Sequence, residues 1–469
     1  MDLAPESNEG PMVDSNEGST IEIDQYMTGV EEEEEIIECD DIGNDGRPME
    51  PVLGTPRRLS EPPDESELYC ETIAEAGRVI SEVEPKFVTQ AAEHVRLGGS
   101  NPYHPFRDET DFELAKFLHN SGLSMNKIDE LLKLKYFCAR PPSYATASAL
   151  RKLIERCPDG SPRWRELGII PDFGAPSQPL TLLYRDPVQA ISHLLSRPAL
   201  ANHMTFAPKR FWTDQSKTTR VYSDFYSGNW WYTTQQRLPE GQTVIPVILG
   251  SDKTHLTEFT GDKKAWPLYL SIGNIAMSAR SSPAYDAWML IAYIPVPAWK
   301  DSKKIQKTLS ARLFHQCMKL VLNPLVEPGK TGIEMADASG KVRICVPLVA
   351  GYISDYPEQT LINCTANNVS SVFLAGNKDL GSPTRHPPRT SEWILDQIKA
   401  VTRQANPNDI PHYQDIALAH GLSGVHKPFW ASLPHYRADI CLGPDIFHGP
   451  IRFGRDYILE WYSTILAKG

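Results

Sequence analysis

Runs of apolar residues predict a β-rich centre of the chain. Residues 244–249 form a short apolar run between two glycines, which is typical of a buried strand. Residues 266–275 alternate and predict a second strand, and the apolar run 287–296 predicts a third. Pro246 counts against a central position for the first strand, because proline has no N–H for the ladder. The pattern therefore predicts three consecutive strands, the first with a local irregularity.

A helix and one more strand follow in the pattern. Ser302 is placed to cap a long amphipathic helix, which Pro324 ends. A hairpin around Ser339 and Gly340 then leads into an apolar strand at residues 347–353. The order is strand, strand, strand, helix, strand. In such an order we expect the first strand to be central and the strand after the helix to lie beside it.

Two aspartates end the first and the last of these strands. Asp252 and Asp355 would then lie at one edge of one sheet. Two close carboxylates repel each other unless a cation neutralises them, so Mg²⁺ is the expected occupant. This layout is typical of a polynucleotidyl-transferase core of the RNase H type. Such a site normally needs a third carboxylate, for which Asp445 and Glu460 are the alternatives. An ordinary pair of loop aspartates is the competing interpretation.

Upstream residues predict helices and an aromatic segment. Residues 103–157 contain a helix, a glycine-containing turn and a helix capped by Ser124, with a third helix at 143–156. This resembles a helix-turn-helix, and plain helix packing gives the same pattern. Asp186 followed by Pro187 predicts another helix start. Aromatic residues 230–232 could stack on bases or anchor a core; both interpretations stay open.

Charge is distributed unevenly along the 469 residues. Residues 1–70 hold 21 acids and 3 bases, a net charge of −18. The remainder holds 38 acids and 44 bases, a net charge of +6. The acidic part predicts a disordered tail, and the mildly basic body is compatible with a nucleic-acid partner. No CxxC pair, secretory signal or membrane span is apparent. We therefore expect a nuclear or cytoplasmic protein.

Several segments together resemble Plavaka-type transposases, fungal enzymes of the CACTA-like class. The resemblance extends over roughly residues 100–469, and its most specific segments are SDKT at Asp252 and SDYPEQ at Asp355. Relatives usually carry a Cys-x-x-Cys after DYPEQ, whereas this chain has Cys364 alone.

The resemblance implies an α/β fold with an RNase H-like mixed-sheet core, here at 219–469. The residue pattern adds a mostly helical region at 100–215 and an acidic tail at 1–70. It implies a catalytic D-D-E/D site in which Asp252 and Asp355 bind Mg²⁺ (or Mn²⁺), and DNA at transposon ends as the partner. Relatives continue beyond Gly469, so we expect an incomplete core and weak or lost strand cleavage. The alternative is a non-enzymatic DNA-binding protein derived from a transposase.

Overall fold

The structure is a computed structural model that describes residues 65–154, 156–157, 161–255, 264–379, 382–445 and 451–466. Its strands are β1 (Tyr69–Thr72), β2 (Ser81–Glu82), β3 (Arg165–Ile169), β4 (Leu180–Tyr184), β5 (Lys209–Trp212), β6 (Arg220–Val221), β7 (Gln242–Ser251), β8 (Thr254–His255), β9 (Lys264–Ala265), β10 (Pro267–Ile272), β11 (Met289–Tyr293), β12 (Ile333–Ala336) and β13 (Lys341–Ile353). Its helices are α1 (Lys86–Gly98), α2 (Glu109–Asn120), α3 (Met125–Leu132), α4 (Lys135–Ala139), α5 (Ala147–Ile154), α6 (Pro187–Ser196), α7 (Asn229–Gln235), α8 (Met277–Arg280), α9 (Lys303–Leu322), α10 (Pro328–Thr331), α11 (Tyr356–Ile362), α12 (Ser391–Gln404), α13 (Ile410–Ala419), α14 (Ala438–Cys441) and α15 (Arg452–Leu466).

One mixed sheet organises the fold. Its strand order in the described residues is β12-β13-β7-β10-β11-β4-β3, and β2 pairs with the start of β13. Strand β7 is central, antiparallel to β10 and parallel to β13. The three predicted strands, the long helix α9 and the hairpin into β13 are confirmed, and β13 lies beside β7 as expected. The result is a mixed α/β fold.

Pro246 lies inside the central strand despite its missing N–H. Its carbonyl oxygen accepts a hydrogen bond from the Gly273 N–H at 2.7 Å, so the carbonyl faces the β10 side. The ring nitrogen, where another residue would carry an N–H, faces the same side. Strand β10 has already ended there, because Ile272 is its last residue and pairs with Val247. The ladder between β7 and β13 therefore continues past the proline. The sequence argument against a central position was wrong for this local reason.

Different helices cover the two faces of the sheet. Ile245, Val247 and Leu249 of β7 belong to the large core that includes helices α6 and α9. Val244 belongs to a smaller cluster with Trp231 of helix α7. Successive side chains of a strand point to opposite faces, so an apolar run without alternation is buried on both sides. This explains why residues 244–249 read as a continuous apolar run.

Helices α2, α3 and α5 share a small core of their own. The Ser124 side chain accepts a hydrogen bond from the Lys127 N–H, which confirms the predicted cap of α3. Asp186 caps α6 with Pro187 in the first turn, also as predicted. Helix α5 is shorter than the predicted 143–156. Ser302 precedes α9, but its side chain makes no capping hydrogen bond.

The acidic tract at residues 31–35 and most of the predicted tail lie outside the described residues. Strand β1 follows shortly after and pairs antiparallel with β5. None of the helices in the described ranges is long and apolar enough to cross a membrane.

Candidate functional site

Asp252 and Asp355 follow two neighbouring strands at equal distances. Strands β7 and β13 pair in parallel, and Gly250 and Ile353 are their last register partners. Each aspartate stands two residues beyond its member of this pair. The register therefore brings both to the same level of the sheet, where neighbouring strands are about 5 Å apart. Asp252 is exposed and Asp355 is half-buried, so a ligand can reach this edge.

Asp445 reaches the same level from the other side of β13. Leu442 forms an isolated parallel bridge with Tyr352 of β13. Asp355 lies three residues after Tyr352, and Asp445 lies three residues after Leu442. The Tyr356 N–H donates a hydrogen bond to Asp445 Oδ2 at 3.1 Å, which holds this carboxylate beside the start of α11. Three aspartates thus follow the ends of three adjacent parallel segments.

Glu460 is not brought to this edge by any strand pairing among the described residues. It is an exposed residue of helix α15, and its carbonyl oxygen accepts a hydrogen bond from the Thr464 hydroxyl. Of the two alternatives for a third carboxylate, the fold brings Asp445 to the strand ends.

The local sequence fixes the position of Asp355. Its Oδ1 accepts a hydrogen bond from the Glu358 N–H at 2.9 Å, so it is the N-cap of α11, and Pro357 occupies the first turn. The exposed N–H groups and the dipole at a helix start favour a negative charge. The same residue therefore ends the strand, starts the helix and presents a carboxylate at the sheet edge.

A fourth carboxylate, Glu358, is buried next to the pair. It is 7% exposed, and its Oε1 accepts hydrogen bonds from Ser251 Oγ at 2.7 Å and from Trp266 Nε1 at 2.6 Å. The pKa of Glu358 is raised to about 7. Burial is the largest cause, the two hydrogen bonds lower the pKa, and the charges of Asp355 and Asp252 raise it. Both aspartates act electrostatically on one group, in agreement with the register.

Sequence reasoning missed Glu358. A glutamate in the first turn of a helix is common, because its negative charge interacts favourably with the helix dipole, and such a glutamate is usually exposed. The signal that points to it is its spacing from Asp355, since residues three apart lie on the same side of a helix.

The carboxylates outnumber the cation beside them. Lys253 follows Asp252, and its Nζ lies 5.3 Å from the centre of the Trp266 ring. Burial lowers the pKa of Lys253, the charge of Lys264 lowers it further, and the charge of Glu358 opposes both. The edge keeps a surplus of negative charge, which favours binding of a hard divalent cation by oxygen ligands.

The side chains are not gathered into a closed cage. In the described part of the chain, no three Asp, Glu, His or Cys side chains stand close enough together to hold a metal ion as they are. Mg²⁺ keeps several water molecules and is usually bound through one or two carboxylates. Two adjacent in-register aspartates are therefore a suitable donor set for such an ion, and Asp445 follows the neighbouring parallel segment on the other side of β13.

The aromatic segment at 230–232 is mostly structural. Trp231 is completely buried and Tyr232 is 6% exposed, while Trp230 is half-buried. The guanidinium of Arg210 lies 4.1 Å from the Tyr232 ring centre. Core packing is confirmed for Trp231 and Tyr232.

Cys364 lies in a buried structural contact with His315. Their side chains are 3.5 Å apart, and His315 Nε2 is also 2.9 Å from the Leu361 carbonyl oxygen. His315 Nδ1 accepts a hydrogen bond from the Phe429 N–H. Burial lowers the pKa of His315 to about 4 and raises that of Cys364. With both ring nitrogens engaged, this pair supports packing and not metal binding.

Comparison with known families gives one match over most of this structure. The sequence profile of the family described as Plavaka transposase matches residues 144–462. This range contains strands β3 to β13, and it also contains Asp252, Asp355 and Asp445. No curated protein matches the chain.

Proposed function

Since the chain belongs to the Plavaka transposase family, we propose that it carries a metal-dependent site for cleavage and transfer of DNA strands at transposon ends. The observation that carries this proposal is the register of β7 and β13, which brings Asp252 and Asp355 to one level of one sheet edge. The site is built by the strand pairing itself.

The strand order supports an RNase H-like core. Strands β7, β10 and β11 are consecutive and antiparallel, α9 follows, and β13 returns parallel to β7. Strand β7 is thus central, with its carboxyl end beside that of β13. Strand β12 pairs with β13 as a hairpin arm, and β3 and β4 extend the sheet on the opposite side. These additions leave the carboxylate edge open.

Asp252 and Asp355 are the residues that would hold Mg²⁺ or Mn²⁺, with Asp445 as the third carboxylate. A bound divalent ion lowers the pKa of an attacking water and stabilises charge on the oxygens of a phosphate in displacement. The protein supplies the position: the N-cap holds Asp355, and the Tyr356 N–H holds Asp445. Glu358 lies buried beside them and keeps the local charge negative when it is ionised.

Cleavage of DNA by single-residue variants tests the proposal. The substrate is a supercoiled plasmid that carries the DNA flanking this coding sequence, incubated with Mg²⁺ or Mn²⁺. Asp252→Asn, Asp355→Asn and Asp445→Asn should each lower the nicking rate by more than about 100-fold. Mutation of a residue that only hydrogen-bonds to a metal ligand already lowers metal affinity or activity about 10- to 100-fold. Asparagine also caps helices well, so Asp355→Asn should keep α11 intact.

The matched control is Asp396→Asn, an exposed aspartate on helix α12. It should nick as fast as the wild type. Equal nicking by the wild type and Asp252→Asn would overturn the enzymatic proposal. Salt-sensitive DNA binding without any nicking would instead support the non-enzymatic alternative. The expectation of weak or lost activity is decided by the wild-type rate in the same assay.

A further inference from the structure

A groove of about 1010 Å³ opens directly beside the carboxylate edge. It begins at Lys253, which follows Asp252, and at Pro357, which stands two residues after Asp355. It continues along helix α9 towards the loop after α11 and helix α13. The groove therefore starts at residues that are one and two positions from the two aspartates in the chain.

The walls of the groove carry positive charge and no acid. Three lysines line it, Lys253, Lys264 and Lys307, and we name it the lysine groove. No Asp, Glu or Arg is found among its described lining residues. Like charges that line one groove repel each other, and a bound anion relieves this repulsion. Phosphates are the anions that a DNA strand brings.

Amides and hydroxyls make up much of the remaining wall. Gln306, Asn367, Asn368 and Gln414 supply side-chain amides with both donors and acceptors. Thr308 is 1% exposed, and within the described chain its Oγ1 has no hydrogen-bond partner. The buried polar atoms Gln414 Oε1 and Ser423 Oγ also lack a partner among the described residues. Buried polar groups are normally paired, so this wall has hydrogen-bonding capacity left for a bound molecule.

Size and chemistry together select the occupant. A volume of 1010 Å³ equals that of a cube about 10 Å on a side. A DNA duplex is wider than this, because its major groove alone is about 12 Å wide. Amide groups can pair with the Watson–Crick edge of a base, which is free only when the base is unpaired, whereas the major-groove edges of paired bases could be read here only if the duplex fitted the groove. We infer that the lysine groove binds unpaired nucleotides of the DNA strand that leads into the Asp252 and Asp355 site. This rests on the proposed function, since DNA must be the substrate.

Binding to matched DNA probes tests this inference without cleavage. Fluorescence anisotropy is measured with the full chain in EDTA, on a duplex, on the same duplex with a short central bubble, and on that bubble with abasic positions. The wild type should bind the bubble roughly tenfold more tightly than the duplex, and the abasic bubble with intermediate affinity. Removal of divalent ions keeps the result independent of the metal site.

Two variants locate the effect. Lys307→Ala removes an exposed lysine from the groove and should weaken bubble binding roughly three- to tenfold, while duplex binding stays within about twofold. Asn368→Ala should reduce the advantage of the bubble over the abasic bubble. Lys319→Ala is the control, because Lys319 is an exposed lysine of the same helix α9 that does not line the groove. It should preserve the preference.

The outcomes separate the two proposals. Equal binding of bubble and duplex by the wild type overturns the lysine groove and leaves the cleavage proposal standing. A loss of the same factor on both probes in Lys307→Ala overturns it as well. If the wild type binds no DNA probe at all, the proposed function fails and the groove fails with it.

Discussion

Replacing Glu358 by glutamine should stabilise the protein at alkaline pH and leave its stability nearly unchanged in acid. The carboxylate is 7% exposed and lies beside Asp355 and Asp252, so its ionised form is unfavourable in the folded chain. Glutamine has almost the same shape and no charge. Its amide oxygen can still accept the hydrogen bonds from Ser251 Oγ and Trp266 Nε1.

The magnitude follows from the pKa. Burial, foremost, raises the pKa of Glu358 from 4.5 to about 7. The shift of roughly 2.5 units corresponds to about 3 kcal/mol at 1.36 kcal/mol per unit. Because the folded state binds this proton more tightly than the unfolded state, the stabilisation is complete below about pH 4.5 and is lost as the pH rises through about 7. The lowering by the two hydrogen bonds is already contained in the value of about 7.

The variant should therefore gain about 3 kcal/mol of unfolding free energy near pH 8 and little near pH 4. Urea unfolding across this pH range, in buffer without divalent ions, measures the difference between wild type and variant. Glu392→Gln is the control, since Glu392 is an exposed first-turn glutamate of α12. A Glu358→Gln curve that runs parallel to the wild-type curve at every pH would refute the reasoning.

Two further substitutions test the packing around the site's sheet. Gly340→Ala should lower the unfolding free energy by at least about 2 kcal/mol, because Gly340 has φ +84° and an added Cβ would lie 2.0 Å from the Val83 carbonyl oxygen; a melting temperature equal to that of the wild type would contradict this. Arg343→Met should cost about 3–5 kcal/mol, because Arg343 Nη1 lies 2.6 Å from Asp337 Oδ2 in a buried ion pair, and its loss leaves Asp337 uncompensated. Adding Asp337→Asn should recover part of this loss in urea unfolding, and no recovery would speak against the pair.

The carboxylate pair could be predicted because strand patterns are local. The apolar runs before Asp252 and Asp355 are continuous in sequence, and a helix between two strands favours a parallel return. The error at Pro246 has the opposite origin. Whether a missing N–H disturbs a sheet depends on where the neighbouring strand ends, and β10 ends at Ile272, which no pattern around the proline records.

The choice between Asp445 and Glu460 lay beyond sequence reasoning for a similar reason. Asp445 is brought to the edge by a single bridge between Leu442 and Tyr352, residues far apart in the chain and without a regular strand pattern around Leu442. Glu358 was missed because its burial depends on Trp266, which belongs to another part of the fold. Long-range pairing and burial thus decided the residues that local patterns left open.

Iron-directed cleavage of the protein chain tests the metal site most directly. Fe²⁺ takes the place of Mg²⁺, and ascorbate with peroxide then generates radicals that cut the backbone next to the bound ion. We predict fragments that end near Asp252, Asp355 and Asp445, suppressed by excess Mg²⁺ and by Asp252→Asn. Fragments near Glu460, or cuts that are unaffected by Asp252→Asn, would contradict a metal site at the ends of β7 and β13.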